Sequence, residues 1–249
     1  MSKLLSRVQR ELRIFQPRAA RLIEKQRIGQ KIYRLRYQGN DLRHMWPINP
    51  GQQLSLLVEG GWPRGGRKYR IARCDEHAAW LELFVLAHSQ SPGSVYARET
   101  HIGDQAQIWG PGGGIYASPH TGKTLYLSDE TGVGSGLAML EKNHNVTAVI
   151  CVDDATTADA LLQQHPRFVP VVRASHEKGQ GPERDDALRR WLQSHERNDD
   201  LRIVLTGRIR SCYQLRSALI EDGVASPHIH VRGFWDDTRT RRKARSASK

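Results

Sequence analysis

The chain has 249 residues, 38% of them hydrophobic, which is enough for one large or two modest packed domains. No apolar run approaches the ~18–20 residues of a membrane span, and Arg7, Arg10 and Arg13 interrupt the first apolar stretch, so a soluble, cytoplasmic protein without a signal peptide is expected. The net charge of +12 is concentrated before Gly39 and in Arg239–Arg245, which suits anionic partners such as nucleic acid, acidic headgroups or polyanionic small ligands.

Leu4, Leu5, Val8, Leu12 and Phe15 recur at near-helical spacing and predict a short amphipathic helix. From Arg18 the period changes to alternation, which predicts two strands with a turn near Gly29. Residues 40–52, rich in Pro and Asn, read as loop. Strands follow at Gln53–Val58, Arg67–Arg73, Trp80–Ala87 and Gln105–Trp109, with a short helix at Val95–Thr100. Glu59–Gly66 reads as a turn cluster. About six short strands in the first half suit a small antiparallel barrel.

After Pro119 strands alternate with helices. The strands are Thr124–Ser128, Val146–Val152, Val169–Arg173, Leu201–Thr206 and His228–Val231. Helices are predicted from Gly132 to about Asn143 and over Thr156–Gln164, Arg184–His195 and Ser211–Asp222. Such alternation means a parallel sheet covered on both faces. The expected domains are 1–118 and 119–236, with a basic disordered tail at 237–249.

The residues suited to chemistry fall in an order. Arg67 and Tyr69 sit two apart on one strand face, taken as exposed, where a phenol stacks on a ring and a guanidinium pairs with phosphate. Gly93-Ser94 precede a short helix and offer amides and a hydroxyl to the same phosphates. Gly103-Asp104 and Gly110-Pro111-Gly112-Gly113 follow. In the second half, Gly132-Val133-Gly134-Ser135-Gly136 is either a pyrophosphate loop or a device for tight strand–helix packing. Asp153 and Asp154 are weak ribose candidates. Arg173, His176, Lys178, Arg208 and Arg210 follow strand ends, where they grip a phosphate or lie solvated. Phe234-Trp235 covers a ring or packs the last strand. Cys74, Cys151 and Cys212 are far apart, and His228 and His230 lack a third ligand, so neither a disulfide nor a metal site is proposed.

These pieces together resemble the siderophore-interacting proteins, a branch of the ferredoxin-reductase-like flavoproteins. The resemblance rests on Arg67-x-Tyr69 with Ile71, on Ser91–Ala97, on Gly103-Asp104 with Gly110–Gly113, on Ser128-Asp129-Glu130-Thr131, on Thr206-Gly207 and on Gly233-Phe234-Trp235. It implies a six-stranded antiparallel FAD-binding barrel followed by a parallel-sheet NAD(P)H-binding domain. It implies FAD contacts at Arg67, Tyr69, Arg70, Ile71, Gly93 and Ser94, and further cofactor contacts at Asp129, Thr131, Arg173, Gly207 and Trp235. Tyr69 and Arg70 would be catalytic. Arg70 stands where the family has Thr or Ser, and Asp236 where it has Arg; Gly207-Arg208-Ile209-Arg210 is basic where an acidic pattern is usual. Lys31, Arg34, Arg36, Arg43 and Arg64 are chosen by charge and loop position to meet an anionic ferric siderophore.

The expected activity is therefore FAD-dependent reduction of ferric siderophores by NADPH or NADH, in a monomer, with a ferredoxin-type donor as another electron source. The alternatives are a general flavin or ferric reductase, or the reductase partner of another redox protein. A basic nucleic-acid-binding protein is a third reading that rests on charge alone.

Overall fold

The computed structural model describes residues 16–58, 65–114, 122–173, 186–195 and 201–236. The helix expected over residues 4–15, the turn cluster at 59–64, Arg64, His176, Lys178 and the tail from 237 lie outside them. The chain divides into two compact units, with the changeover between Tyr116 and Ala117.

In the first unit, six strands close into a barrel. They are β1 (Arg18–Ile28), β2 (Ile32–Gln38), β3 (Gln52–Leu57), β4 (Gly66–Asp75), β5 (Trp80–Leu86) and β6 (Gln105–Gly114), arranged β1-β2-β5-β4-β3-β6. Every pair is antiparallel. Alternation drives the closure: Leu35 and Tyr37 of β2, Leu54 and Leu56 of β3, and Leu81 and Leu83 of β5 point into one core. Helix α1 (Pro92–Glu99) follows β5. Two stretches differ from expectation. Residues Asn40–Met45 form a 3₁₀ turn because Leu42 and Met45 reach the core. Strand β6 continues through the glycines to Gly114, where Gly112 and Gly114 pair with Gln53 and Gln52.

The second unit is a five-stranded sheet made of β7 (Thr124–Asp129), β8 (Val146–Val152), β9 (Phe168–Val172), β10 (Arg202–Arg208) and β11 (Ile229–Trp235). Its order is β11-β10-β7-β8-β9 and all pairs are parallel. All six residues of the central β7 are buried, as a strand covered on both faces requires. Helices α2 (Val133–Lys142), α3 (Ala155–Gln164), α4 (Asp186–Gln193) and α5 (Ile209–Glu221) supply the crossovers. Leu188 and Leu192 of α4, with Leu215 and Leu219 of α5, pack on Leu125, Leu127 and Leu205. On the other face, α2 approaches so closely that a Cβ on Gly136 would lie 2.8 Å from the Phe168 ring.

The order reverses between β7 and β10. That switch point, at the carboxyl ends of the strands, is where open parallel sheets take ligands.

Candidate functional sites

The first candidate lies in the barrel unit. In the β3–β4 register Leu54 faces Tyr69 and Leu56 faces Arg67. Directly opposed residues share a face, so Arg67 and Tyr69 lie on the same face as two core leucines. Tyr69 is therefore half-buried against the core, not on an exposed face. Its hydroxyl lies against Gly93: a Cβ there would come within 2.3 Å of the phenol oxygen and 3.7 Å of Arg67 Cγ. Strand β4 and the first turn of α1 thus bring Arg67, Tyr69 and Gly93 together. Burial pushes the Tyr69 phenol up to about 12, against the opposing pull of Arg67. The hydroxyl therefore stays protonated at neutral pH.

Three serines gather at the start of α1. Ser91 Oγ donates to Ser94 Oγ at 3.1 Å, Ser89 Oγ to Ser91 Oγ at 3.0 Å, and Ser94 Oγ to the Leu86 carbonyl at 3.4 Å. Ser94 is buried within this cluster, and Ser91, the residue before the helix, makes no side-chain cap. Arg98 ties the same loop down through the Ser89 carbonyl and Gln90. A first turn with a bare Cα at Gly93 and a guanidinium alongside is chemically suited to a diphosphate.

Two neighbours expected in this site have other duties. Ile71 is fully buried in the barrel core, so only its backbone reaches outward, and its carbonyl accepts from Gly51 N at 2.7 Å. The Arg70 guanidinium donates to the Gly113 carbonyl at 2.8 Å and weakly to Gly51 at 3.5 Å. It clamps the end of β6.

Among the described residues, three of the cations chosen for an anionic substrate, Arg34, Arg36 and Arg43, are drawn into other contacts. Arg34 and Arg36 are paired with Glu24 and with the fully buried Glu82, at 2.9 Å for Arg34–Glu24 and Arg36–Glu82. Arg36 also lies over the Trp80 ring. The register explains this, since Glu24 faces Arg36 across β1–β2 and Arg36 faces Glu82 across β2–β5. Arg43 donates to the Glu76 and His77 carbonyls. The Lys31 carbonyl accepts from Ala87 N beside the β1–β2 turn.

The second candidate sits at the switch point of the parallel sheet. Asp129 ends β7 and is 8% exposed. Its carboxylate accepts from Thr131 N, Thr131 Oγ1, Arg208 N at 3.0 Å and Trp235 Nε1 at 3.0 Å. Gly207 permits this contact: its φ is +106°, and a Cβ there would stand 2.7 Å from the carboxylate. The Arg208 guanidinium lies 6.0 Å from the Trp235 ring centre. Asp129, Thr131, Gly207 and Trp235 are thereby assembled at one point, with Arg208 as their fifth member.

Arg173 is not at the disposal of a cofactor phosphate. It is buried, and pairs with Glu130 at 3.2 Å and Asp153 at 2.5 Å. Burial alone would lower its pKa; Glu130 and the neighbouring acids more than reverse this and hold it above its ordinary value. Burial raises the Glu130 carboxyl. Gly132 and Gly136 are closely packed: a Cβ on Gly132 would lie 1.9 Å from Ser128 Oγ. Between Asp129, Arg173, Thr206, Arg208 and Ser211 remains a cavity of about 20 Å³, room for about one water. Arg210 is exposed on the outer side of α5. Among the described residues no cluster of metal-ligating side chains occurs.

No family model and no curated protein matches the chain. Solved structures do. A siderophore utilization protein from T. fusca superposes with a TM-score of 0.71 at 22% identity, over 89% of this chain and 93% of the other. The siderophore-interacting protein from Acinetobacter baumannii gives 0.66 at 17%, over 94% and 100%. The flavohem-like FAD/NAD-binding domain of nitric oxide dioxygenase from Vibrio cholerae gives 0.67 at 17%, over 89% and 99%. The fold is ferredoxin-reductase-like. At these identities the likeness establishes architecture, and the sites described above carry the chemistry.

Proposed function

We propose that this chain is an FAD-dependent reductase that accepts electrons from a pyridine nucleotide and delivers them to ferric siderophores in the cytoplasm. In this reading residues 1–118 hold FAD, 119–236 meet NADPH or NADH, and a ferredoxin-type donor is the other source of electrons. The observation that carries it is the meeting of Arg67, Tyr69 and Gly93 at the first turn of α1. Arg67 and the amides of that turn would hold the diphosphate, while the Tyr69 ring would support the isoalloxazine. When bound, FAD supplies the conversion of a two-electron donor to one-electron delivery. The neutral Tyr69 hydroxyl keeps a donor at that point without adding negative charge beside the diphosphate. In the second unit, Asp129 fixes Trp235 and the end of β10 at the carboxyl ends of the strands, where a pyridine nucleotide would meet the sheet. One-electron reduction of Fe(III) weakens its bonds to hard oxygen ligands and frees the metal.

Support for the siderophore as acceptor comes from two of the structural neighbours, whose names carry that ligand. A second reading, a general flavin or ferric reductase, is favoured by one observation: Arg34 and Arg36, expected to attract an anionic chelate, are neutralised by Glu24 and Glu82. Reduced protein mixed with ferric siderophores and, separately, with artificial acceptors distinguishes the two. The first reading predicts faster single-turnover oxidation by a siderophore. Equal or slower oxidation would leave the general reductase standing.

A further inference from the structure

Among the described residues, the outer face of helix α5 is unpartnered. Arg210, Tyr213, Gln214, Ser217, Ala218 and Glu221 line an open groove of about 610 Å³ beside α4. They recur at three- and four-residue intervals, which places them on one side of the helix. Tyr213 is 58% exposed, and Ile209 and Ile220 flank the face at 36% and 39%. Gln214 Oε1 is buried yet has no hydrogen-bond partner among the described residues.

We infer that this face is a dimer interface, occupied by α5 of a second copy running antiparallel. Its residues are complementary to themselves under one two-fold axis passing between Leu215 and Arg216. That operation sets Arg210 against Glu221 of the copy, Tyr213 against Ala218, and Gln214 against Ser217. Each pairing is chemically matched and occurs twice, as an isologous contact requires. Opposite charges meet at both ends. The tyrosine ring enters the space left by the small Ala218, a knob in a hole. Arg189 of α4 lines the same groove and adds a second cation for the incoming carboxylate. An acidic partner protein fits less well, because Glu221 would repel it at the far end of the same groove. The interface is independent of the flavin reading and holds or fails without it.

Sedimentation equilibrium on the full chain, at about 50 µM to favour association by mass action, tests it. Wild type should sediment at twice the chain mass. Arg210→Glu and Glu221→Arg alone should each sediment as monomers, since each sets like charges together. The double variant Arg210→Glu/Glu221→Arg should dimerise again, because both pairs are then reversed within the same interface. Both positions are exposed, so unchanged thermal melting curves would show that lost dimer is not lost fold. A monomeric wild type, single variants that remain dimeric, or a double variant that stays monomeric would overturn the assignment. So would a monomeric wild type that binds a polyglutamate probe through Arg210, which would give the face to an acidic partner.

Discussion

At Gly93 a single methyl group separates two outcomes. A Cβ there meets the Tyr69 oxygen at 2.3 Å, so alanine must displace the phenol from the first turn of α1. Gly93→Ala should weaken FAD binding by tenfold or more, about 1.4 kcal/mol, in a fluorescence-quenching titration; unchanged affinity would remove Tyr69 from the cofactor site. The phenols make a second prediction. Tyr69 is pushed up to about 12, mainly by burial, and Tyr37 and Tyr126 are also raised by burial. A raised native pKa keeps the proton on the folded state while the unfolded chain releases it near pH 10. Stability from these groups is therefore complete below about pH 10 and is lost as pH climbs toward 12, by about 3 kcal/mol for Tyr69. Phenolate absorbance of the folded protein should show Tyr37, Tyr69 and Tyr126 titrating late. All seven tyrosines rising together near pH 10 would contradict the burial. That Arg67 and Tyr69 share a face was readable from the sequence, because strand spacing sets it; Gly93 was grouped with them by the small-residue turn before a helix and by the family resemblance. The fates of Arg34 and Arg36 were not, since only the strand register reveals that Glu24 and Glu82 stand opposite.

At the scale of elements, Asp129 holds the ends of β7, β10 and β11 to one another. Asp129→Ala would leave the Arg208 amide and the Trp235 indole N–H without their carboxylate. A loss of about 2–4 kcal/mol in urea unfolding is expected, with the Trp235 emission shifted to the red. A loss below about 0.5 kcal/mol would show that the hydrogen bonds are replaced by water at no cost. The sequence indicated the strand before Asp-Glu-Thr and the glycine near the end of β10. It gave no sign that the same carboxylate would also take the indole, because that contact joins residues 106 positions apart. Elements followed the pattern where periodicity was strong, as in β8, which spans Val146–Val152 as expected. They departed from it at two places: β6 runs past Trp109 through its glycines to Gly114, and the Asn- and Pro-rich segment after β2 hides the buried Leu42 and Met45.

At the scale of the molecule, the charge of +12 acts as a long-range field even though individual arginines are paired. The rate at which a reduced sample meets an anionic ferric chelate should fall as salt rises, over the range in which the screening length shortens from about 30 to 10 Å. A rate indifferent to salt would mean that the field plays no part in capture. Tight, steeply salt-dependent DNA binding would instead favour the nucleic-acid reading. Everything in the reductase account follows from flavin binding by the barrel. The most direct measurement is the visible spectrum of the purified chain titrated with FAD, beside an Arg67→Ala variant. The account predicts a perturbed flavin band that saturates at one FAD per chain, with a dissociation constant of about 1 µM or tighter, and at least tenfold weaker binding in the variant. A spectrum that remains that of free FAD throughout the titration would contradict it.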